Sequence, residues 1–216
     1  MTTTRLYLAR HGATTSSAED RFAGTLDVEL SDEGKRQADA LGRRLAGQPL
    51  AAVYASPLKR TLDTAARATA SQRLEVQPRD GLREISYGHW EGLTRDEVAS
   101  RHADEYRQWT SDPFTLAPVR GESGVAVMAR GLPIIREVLE RHEGSVVLVV
   151  SHKATIRLIL CAVLGIDPRG YRDRFEQAPG CLNAVDFADP VRARLMLYND
   201  TSHYAGLPSG EMGAFR

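Results

Sequence analysis

Two short apolar segments that each end beside a histidine constrain this chain more than any other feature. Residues 6–9 lead into Arg10-His11-Gly12, and residues 146–150 lead into Ser151-His152. Both segments predict β-strands, and open α/β sheets bind ligands at the carboxyl ends of their strands. We therefore expect both histidines to contribute to one site at one edge of a sheet.

The composition limits the remaining choices. A chain of 216 residues suits one domain with a sizeable core. Its 28 basic and 28 acidic residues cancel, and this balance argues against nucleic acid and membrane partners. Cys161 and Cys181 form neither a disulfide framework nor a metal-binding spacing, so we expect both to be buried. With no signal peptide in its first residues and no apolar run long enough to span a bilayer, the chain is predicted to be cytoplasmic.

Strand-like and helix-like patterns alternate along the chain. This alternation predicts an α/β fold, namely a three-layer α/β/α sandwich around a mostly parallel central sheet. Residues 1–216 are expected to form one domain, with a flap inserted at about 80–121. Helices are expected to start at Ser31, Ser56-Pro57, Thr94, Ser123 and Thr155. Three of them are expected to span about 94–109, 123–142 and 155–164. The helix over 123–142 is expected to be kinked or shifted near Gly131 and Pro133.

The residues at the strand ends suit phosphoryl transfer. A neutral imidazole such as that of His11 can attack phosphorus. Arg10 and Arg60 offer permanently charged forks that match phosphate oxygens, and a protonated His152 would add a third donor. Glu84 can supply the proton that the leaving oxygen needs. Gly12 lets the backbone approach closely, and no spacing suggests a metal ion or another cofactor.

Several blocks of this sequence resemble those of the histidine phosphatase superfamily, whose members are also called phosphoglycerate mutase-like. The blocks cover nearly the whole chain and follow the family's order: Arg10-His11-Gly12, residues 31–38, 56–61, 82–92, Gly121-Glu122-Ser123 and Ser151-His152. The resemblance implies a phosphoglycerate mutase-like fold. It also implies that His11 accepts the phosphoryl group, that Arg10, Arg60 and His152 form the phosphate pocket, and that Glu84 donates the proton.

The sequence departs from the family pattern near this pocket. Ala13 and Ser17 stand where many relatives have Glu and Asn, while Thr14 keeps a hydroxyl for the phosphate. We therefore take Thr14 and Ser17 as further phosphate-binding candidates. Tyr87 and Lys153 are candidate substrate-binding residues. Lys153 favours a substrate with a second anionic group, although a lysine whose stem lies along the surface is an equal alternative.

The resemblance leaves the reaction open between hydrolysis and phosphoryl relocation. The segment between Glu84 and His152 is shorter than in the family's cofactor-dependent mutases, which favours an open site that water can reach. We therefore predict a phosphatase acting on a small phosphorylated metabolite. A cofactor-dependent phosphoglycerate mutase and a non-catalytic phosphate-binding module are the alternatives, and a homodimer is left open. The other histidines are expected to be structural: His89, His102, His142 and His203.

Overall fold

The computed structural model describes residues 2–15 and 21–206, which form a six-stranded mixed sheet. The spatial order of the strands is β3-β2-β4-β1-β5-β6. The first four strands run parallel, and β5 is antiparallel to both of its neighbours. In chain order the strands are β1 (Thr4–Arg10), β2 (Leu50–Ala55), β3 (Val76–Pro78), β4 (Val146–Ser151), β5 (Leu182–Phe187) and β6 (Ala193–Asp200). The mostly parallel sheet is confirmed, although the three-residue edge strand β3 was not predicted.

Helices connect and cover these strands. They are α1 (Asp32–Leu45), α2 (Lys59–Ala68), α3 (Arg95–Arg101), α4 (Ala103–Ser111), α5 (Gly124–Arg141), α6 (Lys153–Leu164) and α7 (Tyr171–Arg174). Short 3₁₀ helices lie at Asp80–Leu82, Gly88–Trp90 and Pro168–Gly170. Among the described residues, no helix combines the length and the apolar character that crossing a bilayer requires.

The alternation of side chains along the strands divides the core into two. In β1, Leu6 and Leu8 enter the core that α5 and α6 cover, whereas Tyr7 and Ala9 enter the core that α1 and α2 cover. Successive side chains of a strand point to opposite faces, so a sheet that is apolar on both faces needs helices on both. The predicted three-layer sandwich is therefore confirmed.

Helix α2 begins later than the sequence predicts. Its first residue is Lys59, whereas Ser56-Pro57 was expected to start it. Ser56 is still bound to the sheet, because its N–H donates to the Val150 carbonyl at 3.1 Å. The carboxylate of Asp27, from the preceding loop, accepts the N–H of Lys59 at 2.7 Å and so caps the helix from outside.

The predicted helix over 94–109 is two helices. The capping box at Thr94 and Glu97 is present as expected, but the backbone leaves the helical region at His102 (φ −133°, ψ 42°). Val98 and Trp109 both enter one aromatic cluster with Trp90. Positions 11 residues apart lie about 16 Å apart along a straight helix, so the break lets both reach that cluster.

Two other helices also differ from their predicted bounds. Helix α6 begins at Lys153, immediately after His152, rather than at Thr155, and ends at Gly165 in the left-handed conformation as expected. Helix α5 runs through Gly131 and Pro133 without a break in its assignment. The early start of α6 places the free N–H groups of its first turn beside His152.

Gly12 allows a close approach, but its neighbour is another backbone segment. A Cβ on Gly12 would lie 2.4 Å from the Gly34 carbonyl oxygen, and a Cβ on Gly34 would lie 2.0 Å from the Ala13 carbonyl oxygen. The start of α1 is thus packed directly against the residues that follow β1. We had predicted close approach without identifying this partner, and Gly34 was not singled out.

We expect Gly34→Ala to destabilise the protein by roughly 1–3 kcal/mol, because the added methyl group overlaps backbone that cannot rotate away. The direction of the change in stability is informative. Alanine is otherwise favoured over glycine inside a helix, so a loss of stability would come from the overlap with the backbone. Gly47→Ala is the control: its Cβ would meet nothing within 4 Å, so its change should stay within about 0.5 kcal/mol. Urea unfolding measures both variants, and equal stability would contradict the packing described here.

Candidate active site

The pairing of β1 with β4 brings the two predicted strand-end histidines together. Arg10 lies opposite Ser151 in the parallel register, and the His11 N–H donates to the Ser151 carbonyl at 3.1 Å. The His11 and His152 rings meet edge to face with centroids 5.2 Å apart. Both residues are buried, and the structure places them in one cluster at the carboxyl edge of the sheet, where the sequence predicts a site.

The ring of His11 is fixed in one tautomer. Its Nδ1 lies 2.7 Å from the carbonyl oxygen of Gly12, which can only accept, so Nδ1 carries the proton and Nε2 keeps a lone pair. Burial, together with the positive charges of Arg10 and Arg60, holds the pKa of His11 well below its usual range. His11 is therefore a neutral imidazole whose Nε2 can act as a nucleophile.

His152 is also neutral in the absence of a ligand. Its Nδ1 accepts from Arg60 Nε at 3.3 Å, and its Nε2 lies 2.8 Å from the hydroxyl of Ser56. Burial first, and then the charge of Arg60, keeps the pKa of His152 well below its usual range. Protonation of His152 therefore depends on a negative charge close to the ring, and its role as a third donor stays a prediction. A bound phosphate dianion would supply the negative charge that protonation of this ring requires.

Arg60 is almost completely buried and is held by backbone oxygens. Its two terminal nitrogens donate to the carbonyls of Leu26 at 2.7 Å and Gly24 at 2.8 Å. Burial lowers the pKa of Arg60, and the negative charge of Glu84 opposes that change. These contacts use three of the five N–H bonds of the guanidinium, counting Nε to His152, so two N–H bonds remain for an anion.

Arg10 also has donors that the protein does not use. One terminal nitrogen donates to the Gln177 carbonyl at 2.7 Å, while the buried Nε has no hydrogen-bond partner among the described residues. Leaving a buried donor unpaired costs free energy, which an anionic ligand in the pocket would recover.

Glu84 lies beside the first turn of α6. Its Oε1 accepts from the N–H groups of Ile85 at 3.0 Å and Thr155 at 3.2 Å. The Thr155 hydroxyl lies 3.2 Å from the same oxygen but has a nearer acceptor, the Arg83 carbonyl at 2.7 Å, for its one proton. Oε2 of Glu84 accepts from the Ala154 N–H alone, at 3.2 Å. The positive end of a helix favours a carboxylate at this position. The predicted acid is therefore next to His152, and its charge acts on both Arg10 and Arg60.

The remaining phosphate and substrate candidates differ in their surroundings. Thr14 is buried and pairs with Leu30 in an isolated antiparallel bridge, and Ser17 lies outside the described residues. Tyr87 packs against the Phe22 ring at 4.7 Å, and burial together with the charge of Glu84 raises its pKa. A neutral phenol in this position can donate to a substrate oxygen.

Lys153 is paired with a carboxylate. Its ammonium lies 3.0 Å from Oε1 of Glu176, whose Oε2 lies 3.2 Å from a terminal nitrogen of Arg157. Glu176 precedes Gln177, whose carbonyl holds Arg10. Burial lowers the pKa of Lys153, and the bond to Glu176 opposes that change. Two cations thus share one carboxylate beside the Arg10 end of the site.

Two supporting residues were not assigned a role from the sequence. The Ser56 hydroxyl orients His152. The Glu91 carboxylate accepts the N–H groups of Thr25 at 3.0 Å and Tyr87 at 3.1 Å, and so ties the loop that holds Arg60 to the loop that follows Glu84. Gly24 has φ +44° and packs against Glu91, where a Cβ would lie 2.3 Å from Oε1. Ser56 and Glu91 lie in blocks 56–61 and 82–92, which resemble the family. Their position in these blocks is the one sequence signal that points to either residue.

Comparison with known proteins identifies the family of this chain. Residues 6–201 match the family model of the histidine phosphatase superfamily (branch 1). The chain is 37% identical to phosphoserine phosphatase 1 of Hydrogenobacter thermophilus, over 76% of this chain and 77% of that protein. It is also 39% identical to the bifunctional protein Rv2228c of Mycobacterium tuberculosis, over 94% of this chain but only 55% of that longer protein.

A solved structure shares the fold. The mycobacterial glucosyl-3-phosphoglycerate phosphatase Rv2419c superposes with a TM-score of 0.83 at 28% identity, covering 91% of this chain and 99% of that one. Two of these three similar proteins are named as phosphatases of small phosphorylated metabolites. With the family match over nearly the whole chain, these likenesses identify the protein as a phosphatase of the histidine phosphatase superfamily, branch 1.

Proposed function

We propose that this phosphatase hydrolyses small phosphomonoesters through a phosphohistidine at His11. The observation that supports this assignment is the tautomer of His11. Its Nδ1 proton is bound to the Gly12 carbonyl, so the lone pair of Nε2 is free, and burial keeps the ring neutral. The guanidinium groups of Arg10 and Arg60 attract the phosphate and leave the lone pair of Nε2 free to attack phosphorus.

The reaction has two displacements at phosphorus. In the first, Nε2 of His11 bonds to phosphorus, the ester P–O bond breaks, and Glu84 protonates the leaving alcohol oxygen. In the second, water attacks the phosphohistidine, Glu84 takes a proton from it, and the P–N bond breaks to release phosphate. Arg10 and Arg60 offset the charge of the transferring group throughout. Because the positive charge comes from these side chains, we propose that the chemistry needs no metal ion.

Glu84 can serve as the acid because its two oxygens are held unequally. Oε1 accepts two backbone N–H groups, whereas Oε2 accepts only the Ala154 N–H. Oε2 is therefore the oxygen better able to carry and deliver a proton. The helix terminus fixes the carboxyl group in place and so limits the reorganisation that proton transfer would need.

The Lys153–Glu176–Arg157 cluster supports a substrate class. We propose that the substrate carries a carboxylate near its phosphate, which binds Lys153 and Arg157 in exchange for part of their contact with Glu176. Two cations facing one carboxylate leave a formal charge of +1 for an incoming anion. The substrates named for two similar proteins, phosphoserine and glucosyl-3-phosphoglycerate, both contain a carboxylate. Glu176 would then be available for an ammonium group such as that of phosphoserine.

Three further features stay predictions. Residues 80–121 are proposed to be a flap over the site, in keeping with the aromatic cluster of Phe22, Trp90, Val98 and Trp109 that packs within and beneath them. Cytoplasmic location is also a prediction, and a homodimer stays an open alternative. The distinction from a mutase rests on products: incubation with 3-phosphoglycerate should release phosphate, and accumulation of 2-phosphoglycerate instead would assign mutase activity.

His11→Ala is expected to abolish turnover, because no second nucleophile in the cluster has a free lone pair held among guanidinium groups. Wild-type protein quenched during turnover of a phosphomonoester should carry an acid-labile, base-stable phosphate that is absent from the variant. Mass spectrometry of quenched protein locates the group. Near-normal activity of His11→Ala would disprove the covalent mechanism.

Glu84→Gln is expected to slow the first displacement by roughly 10²–10⁴-fold for an alkyl phosphate, whose alkoxide leaves poorly without a proton. A nitrophenyl phosphate should lose far less, since nitrophenolate leaves unaided. Single-turnover rates of phosphohistidine formation make the comparison, because Glu84 also acts in the second displacement. Equal losses for the two esters would remove Glu84 from the role of acid.

Lys153→Gln tests the substrate class with a matched pair of substrates. Phosphoserine and phosphoethanolamine differ by one carboxylate. We expect the variant to raise KM for phosphoserine by about tenfold, which corresponds to the loss of one charged contact of about 1.4 kcal/mol. KM for phosphoethanolamine should change by less than about twofold, because this substrate has no carboxylate to contact Lys153. Identical changes for both substrates would mean that Lys153 only pairs with Glu176 at the surface.

A further inference from the structure

Three potential metal ligands meet on the segment 80–121, and none of them is a proposed catalytic residue. Nε2 of His89 lies 2.9 Å from Oε2 of Glu105. The ring of His102 stacks on that of His89 with centroids 4.5 Å apart and planes inclined by 26°. One nitrogen or oxygen atom from each residue lies within 4.8 Å of the other two. The sequence treats both histidines as structural, because their spacing matches no metal motif.

The cluster lies at the break between α3 and α4. His102 occupies the non-helical position (φ −133°, ψ 42°), and Glu105 follows in the first turn of α4. Residues three apart at a helix start share one face, so this carboxylate and this imidazole face the same neighbour. His89 reaches them from the 3₁₀ helix Gly88–Trp90.

The cluster is held in place by a second layer of contacts. Oε1 of Glu105 accepts the Val119 N–H at 2.7 Å, and the His89 N–H donates to the Val119 carbonyl at 3.2 Å. Gly88 has φ +55°, and a Cβ there would lie 2.1 Å from the same carbonyl oxygen, so the two backbones touch. Oε2 of Glu105 faces Nε2 of His89, which donates its proton to it. A bound ion would replace that proton, and the bonded second oxygen keeps the carboxylate oriented as ligating carboxylates usually are.

We propose that His89, His102 and Glu105 bind one divalent transition metal ion, with zinc as the fitting case. Two imidazole nitrogens and one carboxylate oxygen are a donor set that Zn²⁺ accepts, with water as the fourth ligand. The side chains of His89 and Glu105 are 24% and 26% exposed, so an ion can enter a site that is already half-buried.

Binding requires a small closure of the cluster. Tetrahedral zinc with bonds of about 2.0–2.1 Å places its ligands about 3.3 Å apart. His89 and Glu105 already meet this spacing, so His102 makes the larger movement by rotation of its ring. The ion would tie the 3₁₀ helix that follows Tyr87 to the start of α4. It acts as a structural clip and takes no part in phosphoryl transfer.

The test uses tag-free protein stripped with a chelator and titrated with Zn²⁺ by calorimetry. We expect one equivalent to bind with Kd in the micromolar range or below, and saturating zinc to raise Tm. His102→Gln and Glu105→Gln should each weaken binding at least tenfold. His142→Gln is the matched control: its ring contacts the Tyr54 hydroxyl elsewhere, so it should bind zinc as the wild type does. Phosphatase activity of stripped wild-type protein should stay within about twofold, because no ligand belongs to the catalytic cluster.

Each other outcome overturns the proposal. The proposal is wrong if the wild type shows no saturable zinc binding, or if His102→Gln binds zinc as tightly as the wild type. It is also wrong if His142→Gln loses as much affinity for zinc as His102→Gln does. Should His102→Gln fail to fold, the visible spectrum of the wild type with one equivalent of Co²⁺ decides. Intense tetrahedral bands support the site, and the weak absorption of a six-coordinate ion contradicts it. Because activity is measured separately, failure of the metal site leaves the proposed hydrolysis untouched.

Discussion

The parallel pairing of β1 with β4 is the interaction on which the rest of the site depends. It joins segments more than 130 residues apart in the chain, and its register places Arg10 opposite Ser151. His11 and His152 then leave the sheet side by side, with the His11 N–H bound to the Ser151 carbonyl. Because both strands are buried on both faces, a shift of register would expose apolar side chains or bury polar ones. The register that the core requires therefore also fixes the relative positions of His11 and His152.

Burying two guanidinium groups beside two imidazoles makes the pocket a receptor for anions. The protein satisfies Arg60 with backbone carbonyls, which orient the group without neutralising its charge. Burial first, and then the charges of the arginines, holds the pKa of His11 and of His152 well below the usual range. The buried Nε of Arg10 has no hydrogen-bond partner among the described residues. A bound phosphate would pair the Nε of Arg10 and offset the charge of both guanidinium groups, so these features favour the binding of an anion.

The segment between β3 and α5 carries two kinds of order. At its start, Glu84 is fixed by the first turn of α6, and Glu91 ties the following loop to the loop that supports Arg60. Farther along, His89 and Glu105 form an edge of half-buried polar groups outside the aromatic cluster. Residues 84–91 are thus bound to the elements that carry the catalytic cluster. The later part, with His89 and Glu105 at its surface, is where a bound metal ion would add most to stability.

The sequence by itself determined the layers of the fold, because apolar periodicity reports burial directly. It also predicted that His11 and His152 lie together, because strand ends in an α/β sheet share one edge, whereas the roles proposed for Arg60 and Glu84 rest on the resemblance to the family. It did not determine where α2 and α6 begin, since those starts depend on Asp27 and Glu84, which reach the helix ends from distant loops. Nor did it determine the protonation of His152, which follows from burial beside Arg60. The helix break at His102 accompanies the packing of Val98 and Trp109 against Trp90, which no local pattern shows. Local patterns fix which residues are buried, but only tertiary packing decides which charges, carbonyls and rings meet.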